Sequence, residues 1–223
     1  MTLHEYPKVD QGSEEWHALR RGIVTASVVG KLLTPTLKVA ENDTSRALTA
    51  TLAAERITGW TEDSAMTSDM WRGVECEPIA RDLYSGHYHQ AVETGFMRRD
   101  EDGWTLGYSP DGLVADDGLI EIKCPRAKTH LNTILAGEVP GYYMAQCQSG
   151  LLVSGRKWID FVSYVGGMPL FVKRVLPDPK WHEAIEAACR RFEENAAQIV
   201  TDYDKRVADM PKTERLDFEI KVA

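Results

Sequence analysis

The middle third of the chain places the tightest limit on what it can fold into. Three strand-like runs follow one another, Val92 to Arg98, Trp104 to Ser109 and Leu119 to Lys123, with Asp100-Glu-Asp-Gly103 turning the first into the second. Helical patterns stand on both sides. Toward the N-terminus, residues 13 to 33 read as two short helices broken at Arg21-Gly22, with Ser13 and Thr25 as N-caps. After a polar stretch, a further helix runs to Thr58 and stops at Gly59, and Trp60 to Asp69 reads as a loop. Met70 to Tyr84 then suits a helix with Pro78 in its first turn or at a kink. Toward the C-terminus, a short helix spans Lys128 to Ala136, and Pro140 opens a longer one to Gly155. Trp158 to Val165 and Leu170 to Val175 form a hairpin, and a helix from Pro179 to Val207 precedes a polar tail. The expected class is α/β, a central mixed sheet flanked by helices, with the 140 to 155 helix as a crossover to the Trp158 strand.

At 223 residues with 43% hydrophobic content, the chain can bury one core, so a single domain over 1–223 is expected. No apolar run approaches the roughly 20 residues of a membrane span, and the start, Met-Thr-Leu-His-Glu, lacks the pattern of a signal segment. Cys76, Cys124, Cys147 and Cys189 form no C-x-x-C pair, which suits a reducing cytoplasm and offers no iron–sulfur or zinc spacing. His87 and His89 lack a third ligand at zinc spacing and read as loop or strand-edge residues. A net charge of −8 argues against broad coating of duplex DNA, but not against a local basic groove drawn from Arg20, Arg21, Arg126, Lys128 and Lys157.

The chemistry concentrates in Gly107-Tyr-Ser-Pro-Asp111-Gly and Gly118-Leu-Ile-Glu121-Ile-Lys123-Cys-Pro. With a turn at Asp116-Asp117-Gly118 between them, a hairpin brings Asp111 and Glu121 together. These carboxylates and the Ile122 carbonyl are hard oxygen donors of the kind Mg²⁺ accepts while keeping waters for a phosphate. Lys123 lies two residues beyond Glu121 and therefore on the same strand face, where it could orient or deprotonate a water or neutralise charge developing on phosphorus. Glu75 and Glu77 have equal chemical claims to complete this site, although a glutamate in a first helical turn also serves the helix dipole. Arg20 with Ser27, at the start of the second short helix, could grip a terminal phosphate, and Trp16 reads as a core anchor. On the 140 to 155 helix, one of Gln146 and Gln148 faces inward, the other lying on a half-exposed polar face.

In order along the chain, Trp16…Arg20…Thr25-Ala-Ser27, Glu77, Ser109-Pro-Asp111-Gly, Glu121-Ile-Lys123-Cys-Pro and Tyr143-Met-Ala-Gln146 resemble the lambda-exonuclease-like, YqaJ-type viral recombinases of the PD-(D/E)xK nucleases. The resemblance implies a restriction-endonuclease-like core. It assigns Asp111 and Glu121 to metal ligation, Glu77 as a further acidic ligand or water-positioning group, and Lys123 as the catalytic lysine. It assigns Arg20, Ser27, Ser109 and Gln146 to a 5′-phosphate pocket, and Met70 to an apolar wedge that parts the strands. The implied activity is a Mg²⁺-dependent 5′→3′ exonuclease on linear double-stranded DNA, with Mn²⁺ able to substitute, that leaves a 3′ single strand for annealing recombination. A homotrimeric ring, a single-strand annealing partner and a phage or prophage origin in a bacterial cytoplasm follow from the same resemblance. Two alternatives stand beside it: another PD-(D/E)xK enzyme, such as a restriction-type endonuclease, and a non-catalytic DNA-end-binding protein that keeps the fold.

Overall fold

The structure is a computed structural model in which residues 2–62 and 66–215 are described. Part of the loop expected between Trp60 and Asp69, and the last eight residues of the expected polar tail, lie outside the described residues. The elements are β1 (Thr2–Tyr6), α1 (Glu14–Arg20), β2 (Val24–Thr25), a 3₁₀ turn (Val29–Leu32), α2 (Asp43–Thr58), α3 (Ser68–His87), β3 (Ala91–Val92), β4 (Phe96–Glu101), β5 (Trp104–Tyr108), β6 (Gly112–Val114) and β7 (Gly118–Lys123). They continue with α4 (Ala127–Ala136), α5 (Gly141–Ser154), β8 (Trp158–Ser163), β9 (Phe171–Val175) and α6 (Pro179–Val207).

The expected central sheet is two sheets among the described residues. One runs β1-β4-β5-β2 and the other β3-β6-β7-β8-β9. The three strand-like runs are therefore no single meander: β4 and β5 pair as a hairpin in the first sheet, while β7 belongs to the second. The chain changes sheets at Ser109-Pro110-Asp111, where Pro110 has no N–H for a ladder. The first run itself divides, since Ala91 and Val92 pair with β6 and the ladder to β1 and β5 begins at Phe96.

The second expected short helix is also corrected. Thr25 caps nothing; it lies in β2, parallel to β5 and opposite Gly107, and only the 3₁₀ turn follows. Ser27 consequently sits at no α-helix N-terminus. Ser13 does cap α1, accepting from the Trp16 N–H at 3.2 Å. Helix α3 starts two residues before Met70, with Thr67 as its N-cap, so Pro78 lies mid-helix and Glu77 is not in a first turn. Helices α2 and α5 stop at Gly59 and Gly155 as expected, both in the left-handed conformation at φ 66° and 68°.

Sequence patterning explains the layers. Helix α6 buries Ala184, Ile185, Ala188, Cys189, Phe192 and Ala196, at the one-, three- and four-residue steps of a single helix face, and leaves its charged side chains outside. Helix α5 is different: it is buried along most of its length and packs against strands of both sheets. It forms the crossover that makes β7 and β8 parallel, as expected from its position between them. On β7, side chains alternate. Ile120 and Ile122 join Ala80, Tyr84 and Val162 on the α3 side, whereas Leu119 joins the larger core under α5. Each fully buried Phe, Leu or Ile of these cores contributes about 1.5–3 kcal/mol.

Polar ties fix the helices to this frame. The Tyr84 hydroxyl donates to buried Asp160 at 2.7 Å, and Arg174 donates to both oxygens of the same carboxylate, which joins α3 to β8 and β9. Arg56 forks onto Glu193 at 2.7 and 2.8 Å, joining α2 to α6. Gln148, expected on a half-exposed face if not inward, is buried, and its amide is used structurally: it donates to Leu176 O and accepts from Asp178 N. Among the described residues, no helix is long and apolar enough to cross a membrane.

Candidate active site

The hairpin β6–β7 fixes the acidic pair. Gly112 pairs with Ile120, so Asp111, one residue before β6, stands beside the C-terminal half of β7, where its Oδ2 accepts from the Ile122 N–H at 2.6 Å. Glu121 points to the α5 side, fully buried. There Glu121 Oε1 accepts from Lys123 Nζ at 2.6 Å and from the Gln146 amide, while Oε2 accepts from the Tyr108 hydroxyl at 3.2 Å. Helix α5 approaches closely enough to aim these groups because Gly150 lies over the Tyr108 ring; a Cβ there would stand 2.7 Å from it. Lys123 also lies under the Tyr143 ring, 5.6 Å from its centroid.

Glu77 reaches the same cleft from α3, whereas Glu75 is exposed. It forms an ion pair with Arg81, which also donates to the Asp111 carbonyl at 2.7 Å. The cleft has a volume of about 700 Å³ and holds Glu77, Asp111, Ile122 and Lys123, with Met70 and Val74 on the α3 side and Tyr142 on the α5 side. A comparable groove of about 670 Å³ between α2 and α6 brings together none of the expected site residues.

Burial sets the electrostatics. It pushes Glu121 up to about 8 against the pull of Lys123, and raises Asp111 above the usual carboxylate range. Glu77 rises to about 7, first from burial and then from the charge of Asp111. Burial by itself would lower Lys123, but Glu121 and Asp111 together raise it above its ordinary value. Three carboxyl groups are thus crowded together at and behind the cleft, with Lys123 paired to Glu121 and Arg81 paired to Glu77. A divalent cation relieves that crowding, and Asp111, Glu121 and the Ile122 carbonyl are the hard oxygen donors suited to Mg²⁺. Glu77 is held by Arg81, and among the described residues no three His, Cys, Asp or Glu side chains form a ligand cluster, so the fit rests on two carboxylates and a carbonyl.

A second, smaller cavity of about 120 Å³ adjoins the first. It gathers Arg20, Ser27, Ser109 and Gln146 from α1, the segment after β2, the sheet-switching loop and α5. The parallel pairing of β2 with β5, continued by the Ala26 N–H to Gly107 O bond at 2.8 Å, is what carries Ser27 here. Ser109 Oγ accepts from Trp16 Nε1 at 2.8 Å and from Arg20 at 3.4 Å, and the Arg20 guanidinium lies 3.8 Å from the Trp16 ring centroid. Trp16, expected as a core anchor, is therefore a wall of this cavity; its alternation with Arg20 on one turn of α1 is the signal that shows it. Burial lowers Arg20 to about 10, only partly offset by Glu55. Among the described residues no carboxylate lies within ion-pair distance of it, which leaves a desolvated cation facing a small polar cavity.

The basic groove is only partly assembled. Arg126 borders the large cleft and pairs with Asp69, while Lys157 pairs with Asp117 at the opposite end of β7 from the acidic pair. His89 packs near Tyr84 and Trp158. Among the lining residues that the sequence did not single out, such as Arg72, Val74 and Tyr142, Gln11, in the loop between β1 and α1, borders both cavities.

The model of the YqaJ-like viral recombinase domain matches residues 15–157, more than half of the chain. The chain belongs to that family. Its solved relatives agree. LHK-Exo in complex with dAMP is 35% identical over 89% of this chain and 100% of that one, with a TM-score of 0.78. The alkaline exonuclease LHK-Exo from Laribacter hongkongensis, in a second structure, is 34% identical over the same shares with a TM-score of 0.79. A phage-related exonuclease from Haemophilus somnus, at 16% identity and a TM-score of 0.60 over 81% of this chain and 96% of that one, shares the fold. No curated protein matches. This YqaJ-like chain has the restriction-endonuclease-like α/β architecture and is a nuclease of the exonuclease kind.

Proposed function

We propose that this YqaJ-like protein is a Mg²⁺-dependent 5′→3′ exonuclease that degrades one strand of linear double-stranded DNA from a 5′-phosphorylated end. It leaves a 3′ single strand for single-strand-annealing recombination. The observation that carries this reading is the shared wall at Asp111: a cavity for a small anion, lined by a desolvated arginine, opens beside the acidic pair and its lysine. Such a pairing measures a distance from a strand end to a cleavage centre, which an endonuclease has no need to do. The relative LHK-Exo, seen with dAMP, is an alkaline exonuclease, and a nucleoside 5′-monophosphate is the product this reading expects.

In the reaction, Asp111, Glu121 and the Ile122 carbonyl would hold Mg²⁺, or Mn²⁺ in its place, with Glu77 as a further acidic group. The cation supplies Lewis-acid stabilisation of the phosphate charge. Lys123, fixed by Glu121, presents its positive charge to the phosphorus centre as negative charge develops. Gln146 and Tyr108 orient Glu121. Arg20, Ser109 and Ser27 receive the terminal phosphate, and Gln146, whose amide holds Glu121, also borders that pocket. Met70, half exposed on the α3 side of the cleft, would part the strands. A homotrimeric ring around the DNA, an annealing protein as partner, and a phage or prophage enzyme at work in a bacterial cytoplasm complete the proposal.

Linear and closed-circular duplex compared in Mg²⁺ and in chelator test it. Acid-soluble nucleotide should appear from linear DNA in Mg²⁺ alone. Nicking of the circle would favour an endonuclease, and end binding without release would favour a non-catalytic end-binding protein.

A further inference from the structure

Gln11 lies in the loop between β1 and α1 and has no role in the reaction proposed above. Its side chain is exposed, and its amide Nε2 donates to the Pro110 carbonyl at 3.4 Å. Pro110 stands between Ser109, which lines the small cavity, and Asp111, which lines both. Gln11 and Asp111 are the residues common to the two cavities.

Their chemistry differs. Asp111 is buried, and its Oδ2 is committed to the Ile122 N–H. An acid on this boundary repels a phosphodiester unless a cation intervenes. Gln11 is neutral, and with one N–H anchored on Pro110 it keeps a second N–H and its amide oxygen for another partner. A strand whose end enters the small cavity and whose scissile phosphate lies at Lys123 has to cross this boundary. The group that crosses is the sugar–phosphate of the terminal nucleotide, which offers acceptors to an N–H donor and hydroxyl-free carbon to the loop.

Resting on the exonuclease reading, we propose that Gln11 is a positioning residue that sets the cutting register. Its carboxamide bridges the sheet-switching loop to the backbone of the 5′-terminal nucleotide, so that the first phosphodiester, and no later one, comes to rest against Asp111, Glu121 and Lys123. The small cavity gives the chain end an anchor, but an anchor alone leaves the following backbone free to bow. A donor at the midpoint removes that freedom, which is where orientation contributes to rate.

The test uses the full-length protein and uniformly labelled, 5′-phosphorylated linear duplex in Mg²⁺, with products separated by length. Wild type should release mononucleotides. Gln11→Ala and the isosteric Gln11→Met, each checked for an unchanged thermal midpoint, should lower kcat/KM about ten- to hundred-fold, the scale of a lost hydrogen bond to a charged group. They should also release di- and trinucleotides, because the register is no longer held. Mononucleotides alone, with unchanged kcat/KM, overturn the proposal. So does an equal loss on 5′-phosphate and 5′-hydroxyl ends with mononucleotides alone, which would mean that Gln11 only props Pro110. If wild type releases no nucleotide, the exonuclease reading itself falls, and this proposal with it.

Discussion

Lys123→Ala is expected to slow nucleotide release by roughly 10²–10⁴-fold, the range for a positioned group acting on the reacting atoms. Its ammonium is 2.6 Å from Glu121 and is held under the Tyr143 ring, so its place is fixed before substrate arrives. Preorganised charge of this kind involves no rearrangement at the moment of reaction. The structural contribution of the ion pair is smaller. Glu121 stands well above the usual carboxylate range because of burial, so loss of its lysine is met by protonation instead of a stranded charge. Single-turnover release from 5′-phosphorylated duplex, beside thermal melts of Lys123→Ala and of Lys123→Met, which keeps most of the side-chain stem, separates rate from folding. A folded variant with full activity would remove Lys123 from the reaction.

Arg20→Ala should abolish the preference for a 5′-phosphate over a 5′-hydroxyl end, a loss of about ten- to hundred-fold in kcat/KM on the phosphorylated end alone. The guanidinium is desolvated and stacked on Trp16, and Ser109 Oγ is its hydrogen-bond partner in the small cavity. Such a group gains most from an anion that it can fork onto. Arg20→Lys should restore only part of the preference, because an ammonium offers neither the planar fork nor the same stacking on the indole. Competition between the two ends in one reaction reads the preference directly. If Arg20→Ala retains it, the small cavity does not receive the phosphate.

The parts of the fold that sequence reveals are those fixed by neighbours in the chain. Gly59 and Gly155 end their helices through their own left-handed backbone, and Asp111 meets Glu121 because the intervening turn is short. Partner choice between strands is less visible. Nothing local distinguishes β5, which pairs with β4, from β7, which pairs with β8, and a two-residue strand such as β2 has no period to detect. Thr25 therefore looks like a helix cap although it is a strand residue. In the site, Glu77 and Glu75 are separable only once α3 is seen to turn one toward the cleft and the other to solvent. Gln148 illustrates the same limit: as a buried glutamine it needs partners, and those are the Leu176 carbonyl and the Asp178 N–H from a distant segment. Gln11 is hidden for another reason, since a polar residue in a polar loop carries no pattern until the two cavities beside it are known.

Duplex DNA labelled at the 5′ end of one strand and, in a parallel sample, at its 3′ end tests the central claim most directly. Both ends are phosphorylated, and the protein acts in Mg²⁺ under conditions of a single binding event. If Asp111, Glu121 and Lys123 cut from an end held by Arg20, Ser27, Ser109 and Gln146, the 5′ label leaves first as a mononucleotide while the 3′ label stays on a shortening strand. Release of the 3′ label first, or cuts scattered within the duplex before either label is freed, contradicts the account.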